Sequence, residues 1–170
     1  YLGTISDLTV GPFAPLAVPI TEAQEAFWKR VNTAGGIGGY DIDVTTYVRD
    51  NKYDPQVHNQ VYQEIKGNVL ALAQTLGSPT TAAIIDDLKQ ESIVSVPASW
   101  TSAWEFEDVI IESGANYCYE SMNAVDYAVD NRGVEQTILP LALERKIGVL
   151  VYVPFGRTSL FRRVGDQPVP

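Results

Sequence analysis

Short apolar segments alternate along this sequence with longer segments that repeat apolar residues at helical spacing. The clearest apolar segment covers residues 69–73, and a glycine–proline turn ends it at residues 77–79. A strand that is apolar on both faces is typical of the centre of a parallel sheet. Strands that alternate with helices pair in parallel through right-handed crossovers. The sequence therefore predicts a three-layer α/β fold.

The local signals give the order of the predicted elements. The first helix is expected to begin at a capping box formed by Thr21 and Gln24 and to end at Gly35 and Gly36. The next helix is expected to begin at Asp54, with Pro55 in its first turn, and to run to about Lys66. A further helix is predicted at residues 80–90. Strands are predicted at residues 2–8, 41–47, 69–73, 93–96 and 109–111.

The last third of the chain is less regular. Residues 116–130 fit a helix with a stripe of Cys118, Met122, Val125 and Val129, although part of this segment also alternates with period two, as in a strand. We favour the helix. A helix at residues 134–146 and a strand at residues 147–153 follow. The whole pattern predicts a single flavodoxin-like (Rossmann-like) domain with strand order 2-1-3-4-5.

The charge and the cysteine content exclude several partners. The net charge is −9 and the isoelectric point is about 4.5, so neither a nucleic acid nor an anionic membrane is an expected partner. A single cysteine, Cys118, rules out an internal disulfide and a multi-cysteine metal site. The sequence has no apolar run of transmembrane length and begins on a strand-like segment rather than on a signal peptide.

Catalytic and cofactor motifs are weak. The glycines at residues 35–39 follow a helix and precede a strand, which is the reverse of a dinucleotide-binding loop, so we interpret them as a helix end. His58, the only histidine, is expected on the surface of a helix rather than as a base. We expect no cofactor, no metal site and no enzymatic activity.

Two loops that follow predicted strands carry the candidate site. Ser78, Thr80 and Thr81 follow the central strand, where open parallel sheets bind ligands. An ordinary hydroxyl cap of a helix is an equal alternative. The next loop brings Ser99, Thr101 and Trp100 to the same edge, while Trp100 and Trp104 are also spaced as one face of a packed turn. An apolar edge at these tryptophans also suits a homodimer, so a monomer and a homodimer both remain open.

The order of these pieces resembles the N-terminal lobe of periplasmic type I solute-binding proteins, the branched-chain amino-acid type of ABC importers, over about residues 1–130. The resemblance implies that hydroxyls of Ser78, Thr80, Ser99 and Thr101 hold the carboxylate and amino groups of a ligand, with Phe13 and Trp100 as walls. It also implies an extracytoplasmic parent. The segments that carry it are residues 3–9, 11–14, 31–37, 53–55 and 77–81.

Residues 127–170 instead resemble a late β/α segment of an aldo-keto reductase barrel, without its catalytic residues. The motifs are residues 127–132, 138–142, 145–149 and 154–157. This predicts an engineered chimera in which the barrel segment completes the sheet of a binding-protein lobe. Such a chain retains half of a cleft and binds a small amino acid weakly at most. The alternatives are a functional amino-acid-binding component of an importer and a fragment of an NADP-dependent oxidoreductase.

Overall fold

A computed structural model describes residues 1–132, 140 and 143–146. The chain forms two compact units, Tyr1–Asn116 and Tyr117–Pro170. The first unit contains a parallel sheet of four strands in the order β2-β1-β3-β4. These strands are β1 (Leu2–Ser6), β2 (Tyr47–Asp50), β3 (Ala71–Thr75) and β4 (Val94–Pro97). The parallel α/β architecture and the strand order 2-1-3-4 are confirmed.

The fifth predicted strand is reduced to a single contact. Ile110 forms an isolated parallel bridge with Ser95, supported by hydrogen bonds from Ser95 N to Val109 O and from Ile111 N to Ser95 O, both at 2.9 Å. Residues 109–111 therefore lie beside β4, at the fifth position of the predicted order, but are too short to form a strand.

Helix α1 (Ala14–Thr33) begins seven residues earlier than the capping box predicts, and that prediction is wrong. Thr21 lies inside the helix, where its hydroxyl donates to the carbonyl of Ala17 at 2.9 Å. The Gln24 side chain instead donates to the carbonyl of Ala73 at 3.0 Å. The buried residues of this helix are Ala14, Ala17 and Thr21. The helix ends just before Gly35 and Gly36, as expected.

The second strand lies further along the chain than predicted. Residues 41–46 form a turn because the Asp43 carboxylate accepts the backbone N–H groups of Thr45 (2.8 Å) and Thr46 (3.0 Å). Hydrogen bonds from Thr46, through its backbone and its hydroxyl, lower the pKa of Asp43 to about 2. These bonds compete with strand pairing, so β2 begins only at Tyr47.

The next helices follow the sequence more closely. Helix α2 (Pro55–Ile65) begins as predicted, with the Asp54 carboxylate accepting the N–H groups of Gln56 and Val57. The helix expected at residues 80–90 is divided into α3 (Ser78–Ala82) and α4 (Ile85–Glu91). Short 3-10 helices cover Lys66–Asn68 and Ser102–Phe106.

The second unit begins with helix α5 (Tyr117–Arg132). The helical interpretation of residues 116–130 is therefore confirmed. Most of the helix predicted at residues 134–146, and the whole strand predicted at residues 147–153, lie outside the described residues.

The main core lies between the sheet and helices α2 and α4. Gly3 of β1 gives Leu72 room, since a Cβ atom at Gly3 would lie 2.7 Å from the Cδ2 atom of Leu72. The opposite face of the sheet, under α1, is polar, and there the Thr4 hydroxyl donates to Gln24 at 3.0 Å. The central residues of the main core are Ile5, Tyr62, Ile65, Leu72, Ile84 and Leu88.

Candidate functional site

The loops that follow the four strands meet at one edge of the sheet. Backbone hydrogen bonds join the first residue of three of these loops to a neighbouring strand, from Asn51 N to Ser6 O (2.8 Å), from Leu76 N to Ile5 O (3.0 Å) and from Ala98 N to Thr75 O (2.7 Å). We call this the binding edge, defined as residues 7–13, 51–54, 76–78 and 98–101. Because neighbouring strands lie about 4.8 Å apart, the loops after β1 and β4 are separated by about 10 Å. Loops that converge at the carboxyl ends of parallel strands form the usual ligand site of this architecture.

The loop after β1 is held by a buried carboxylate. Asp7 accepts the backbone N–H groups of Gly11 (3.0 Å) and Phe13 (2.8 Å). This places the Phe13 ring at the edge, where it is 40% exposed. Asp7 itself is fully buried, so its role is to shape the loop.

The Asp50 carboxylate, at the end of β2, joins the first two loops. It accepts hydrogen bonds from the backbone N–H groups of Leu8 and Lys52, both at 2.9 Å, and from the Thr9 hydroxyl. Burial acts to raise the pKa of Asp50, but these hydrogen bonds and the charge of Lys52 outweigh it and lower the pKa. Asp50 therefore remains ionised and holds both loops.

The loop after β2 contains two non-glycine residues in the left-handed region, Lys52 with φ of +53° and Tyr53 with φ of +58°. The Tyr53 ring lies 4.7 Å from the Phe13 ring, measured between centroids. It also covers Gly77, where a Cβ atom would lie 2.7 Å from the ring. Tyr53 therefore connects the loops after β1, β2 and β3, a role that the sequence analysis missed.

His58 is fully buried, so the expectation of a surface histidine is wrong. The amide nitrogen of Asn51 lies 3.0 Å from His58 Nδ1 and donates to the Leu76 carbonyl at 2.9 Å. An amide nitrogen donates and does not accept, so Nδ1 is the acceptor, which leaves the proton of the neutral ring on Nε2. Burial lowers the pKa of His58 to about 4. The imidazole is therefore neutral and helps to fix Asn51.

The predicted hydroxyls after β3 differ in their surroundings. Thr80 and Thr81 are fully buried. The Thr80 hydroxyl donates to the carbonyl of Leu76, and the Thr81 hydroxyl donates to the Thr75 hydroxyl at 3.0 Å. These hydrogen bonds hold the start of α3 against β3. Ser78 is half-buried at the edge itself.

The loop after β4 provides Ser99, Trp100 and Thr101. Ser99 is 8% exposed, and its hydroxyl has no hydrogen-bond partner within the described residues 1–132, 140 and 143–146. The indole N–H of Trp100 donates to the Ser113 hydroxyl at 3.2 Å, and the ring remains half-exposed. Trp104 is 4% exposed, with its indole N–H donating to the Ser99 carbonyl at 2.7 Å, so it packs beneath the loop. Thr101 is half-buried at the start of the 3-10 helix.

The sheet order fixes how the predicted site residues are arranged. Phe13 lies at the β1 side of the binding edge, Ser78 follows β3, and Ser99 to Thr101 follow β4. A shallow cavity of about 270 Å³ continues from the β4 side toward α1. It is lined by Ile20, Ala73, Gln74, Val96, Trp100 and Ser113, among others. The edge thus offers aromatic and aliphatic walls beside hydroxyl groups.

A larger cavity, of about 810 Å³, lies away from this edge. It is formed by the second half of α1 and by residues 41–45, which precede β2. Within residues 1–132, 140 and 143–146, no group of three or more His, Cys, Asp or Glu side chains is placed to hold a metal ion. None of the helices in the same residues is both long and apolar enough to cross a membrane.

Comparison with known proteins identifies a family. The family model for periplasmic binding proteins matches residues 1–144. The chain is 35% identical to a fatty acid ABC transporter substrate-binding protein from Thermomonospora curvata, with a TM-score of 0.70, over 77% of this chain and 33% of that one. A possible leucine/isoleucine/valine-binding protein from Rhodopirellula baltica SH 1 has 20% identity and a TM-score of 0.68, over 77% of this chain and 36% of that one. No curated protein gives a significant match.

Two further points follow from the extent of these matches. The chain spans about a third of the length of the solved proteins it resembles. The family match also continues to residue 144, past the junction predicted near residues 127–131, so the comparisons support the binding-protein resemblance and give no support to a chimera. The reductase-like assignment, made for residues 127–170, overlaps this match at residues 127–144 and stays a prediction without support from the comparisons.

Proposed function

Since the chain belongs to the periplasmic binding protein family, we propose that it forms one ligand-binding lobe of a solute-binding protein that serves an ABC importer. Its role is to bind a small carboxylate that carries an apolar group. Proteins of this kind bind their ligand without transforming it, in keeping with the expectation that the chain is not an enzyme.

The Ser99 hydroxyl is the observation that carries this proposal. It is 92% buried, at the carboxyl end of β4, and has no partner among the described residues. A buried hydroxyl without a hydrogen bond costs about 1–3 kcal/mol, so in folded proteins such a group usually meets a water molecule or a bound ligand. A ligand carboxylate at the binding edge would accept a hydrogen bond from this hydroxyl, with Ser78 and Thr101 on either side.

The walls of the edge favour an apolar group on the ligand. Phe13 is 40% exposed, and Trp100 lies beside the cavity of about 270 Å³ that extends toward Ile20. The substrate-binding protein from Thermomonospora curvata is named for fatty acids. Both an amino acid with an aliphatic side chain and a fatty acid provide a carboxylate and an apolar group. L-leucine and octanoate are therefore the two probes.

Affinity is expected to be low for the chain alone. Its length is about a third of that of the solved relatives, and a single lobe covers one side of a ligand and leaves the other in water. The loss of roughly half of the contacts predicts a dissociation constant on the order of millimolar.

The test is a titration of the full chain with L-leucine and with octanoate, followed by shifts of backbone amide signals in NMR spectra. We expect shifts at residues 76–78 and 98–101, and a dissociation constant about tenfold higher for Ser99→Ala, since one hydrogen bond to a charged group is worth about 1.5 kcal/mol or more. Ser102→Ala, three residues further along and exposed, is the matched control and should bind as the wild type does. Absence of shifts with both probes, or equal weakening by both substitutions, would contradict the proposed function.

A further inference from the structure

We propose that Tyr53 contacts the bound ligand directly and acts as a specificity-determining residue for its apolar group. This inference rests on the proposed function, because it concerns the same binding edge. Its basis is the combination of an unfavourable backbone conformation at Tyr53 with a ring that is held where three loops meet.

The backbone conformation at residues 52–53 is energetically unfavourable. Lys52 and Tyr53 both have positive φ, which side chains with a Cβ atom rarely adopt, and two such residues in succession are rarer still. Glycine or asparagine would occupy these positions with less strain. Strain of this kind persists where surrounding structure enforces it, and it is concentrated at functional sites.

The surrounding structure enforces this conformation through specific hydrogen bonds. Lys52 N donates to Asp50 at 2.9 Å, and Tyr53 N donates to the side-chain oxygen of Asn51 at 2.8 Å. The other end of the Asn51 amide is fixed by the Leu76 carbonyl and by His58 Nδ1. Two buried residues, His58 and Leu76, therefore orient the Asn51 side chain, and through it the peptide of Tyr53.

The result of this enforced conformation is the position of the ring. Tyr53 lies against Phe13 at 4.7 Å and over Gly77, so it stands between the loops after β1 and β3 at the binding edge. It is only half-buried there, which leaves part of the ring accessible to a ligand. An aromatic ring in such a place selects for apolar groups by contact and by exclusion of water.

The test compares Tyr53→Asn with Ser92→Asn in the full chain, because Ser92 also has a positive φ (+56°) and is exposed at the end of α4, outside the binding edge. Asparagine tolerates positive φ, so both substitutions relieve strain, but only Tyr53→Asn removes the ring. We expect both variants to fold, with Tyr53→Asn losing the ring contacts to Phe13 and Gly77. We expect Ser92→Asn to bind L-leucine or octanoate as the wild type does, and Tyr53→Asn to bind about tenfold more weakly.

The outcomes separate this inference from the proposed function. If Ser92→Asn weakens binding as much as Tyr53→Asn does, the loss does not come from the ring, and the inference is wrong. Unchanged affinity in Tyr53→Asn also overturns it, while leaving the proposed function intact. If the wild type binds neither probe, both proposals fail together.

Discussion

His58 joins the helix α2 to the binding edge, and its burial has a measurable consequence for stability. Burial lowers the pKa of His58 to about 4 in the folded protein, whereas the ordinary value is 6.5. Between these two values the unfolded chain binds a proton that the folded chain does not. The free energy of unfolding therefore rises with pH across this window and falls as the solution is acidified. From pH 7 to pH 5 the contribution of this one group is a loss of about 2 kcal/mol.

The substitution His58→Gln tests this prediction. Glutamine does not titrate, so the variant lacks the contribution of His58 while all other groups continue to titrate. Urea unfolding at pH 7 and pH 5 should show that the wild type loses about 2 kcal/mol more than the variant over this interval. Parallel losses in the two proteins would mean that the imidazole is accessible to protons in the folded state.

The elements that the sequence predicted well are those with signals close together in the chain. Asp54 and Pro55 are adjacent, and both act within the first turn of α2, so a local pattern was sufficient. The start of α1 was missed because Thr21 and Gln24 bond elsewhere, Gln24 to a strand carbonyl 49 residues away. The strand β2 was misplaced because the turn at Asp43 competes with strand pairing.

In the candidate site, too, the sequence predicted features that follow from local patterns and strand order, and missed features that depend on distant residues. The loops after β3 and β4 were predicted, because their place follows from the strand order alone. Tyr53 was missed because its positive φ depends on Asn51, whose orientation depends in turn on His58 and Leu76. No local pattern marks such a network, since its members meet only after the sheet has formed.

The position of strand β3 within the apolar run can be tested with two leucine substitutions. The sequence predicted residues 69–73, but the strand is Ala71–Thr75, which leaves Leu70 81% exposed before it and places Leu72 in the core with no exposure. Leu72→Ala should lower the free energy of unfolding by about 2–5 kcal/mol, whereas Leu70→Ala should change it by less than about 0.5 kcal/mol. Urea unfolding of the two variants makes the comparison. A large effect at Leu70 would show that the apolar run is buried along its whole length, as the sequence pattern suggested.

For the molecule as a whole, the proposal that this chain forms one lobe of a binding cleft predicts weak binding, which can be measured as weak stabilisation by a ligand. A ligand that binds only the folded state stabilises it by an amount that depends on the ratio of its concentration to the dissociation constant. With a dissociation constant on the order of 1 mM, a probe at about 10 mM adds about 1.4 kcal/mol, and a probe at 0.1 mM adds almost nothing. The dependence of stabilisation on probe concentration therefore distinguishes a site formed by a single lobe from a site that encloses its ligand.

Thermal unfolding of the full chain at probe concentrations from micromolar to millimolar measures this stabilisation. Because the chain has 170 residues, about 1.4 kcal/mol corresponds to a rise of the melting temperature of about 3–6 °C. We expect that rise with L-leucine or octanoate only in the millimolar range, and a smaller one in Ser99→Ala. A rise that is complete at micromolar probe would mean that the chain surrounds its ligand, for which a single lobe does not provide enough surface. The second wall would then have to come from another copy of the chain, and the melting temperature would depend on protein concentration.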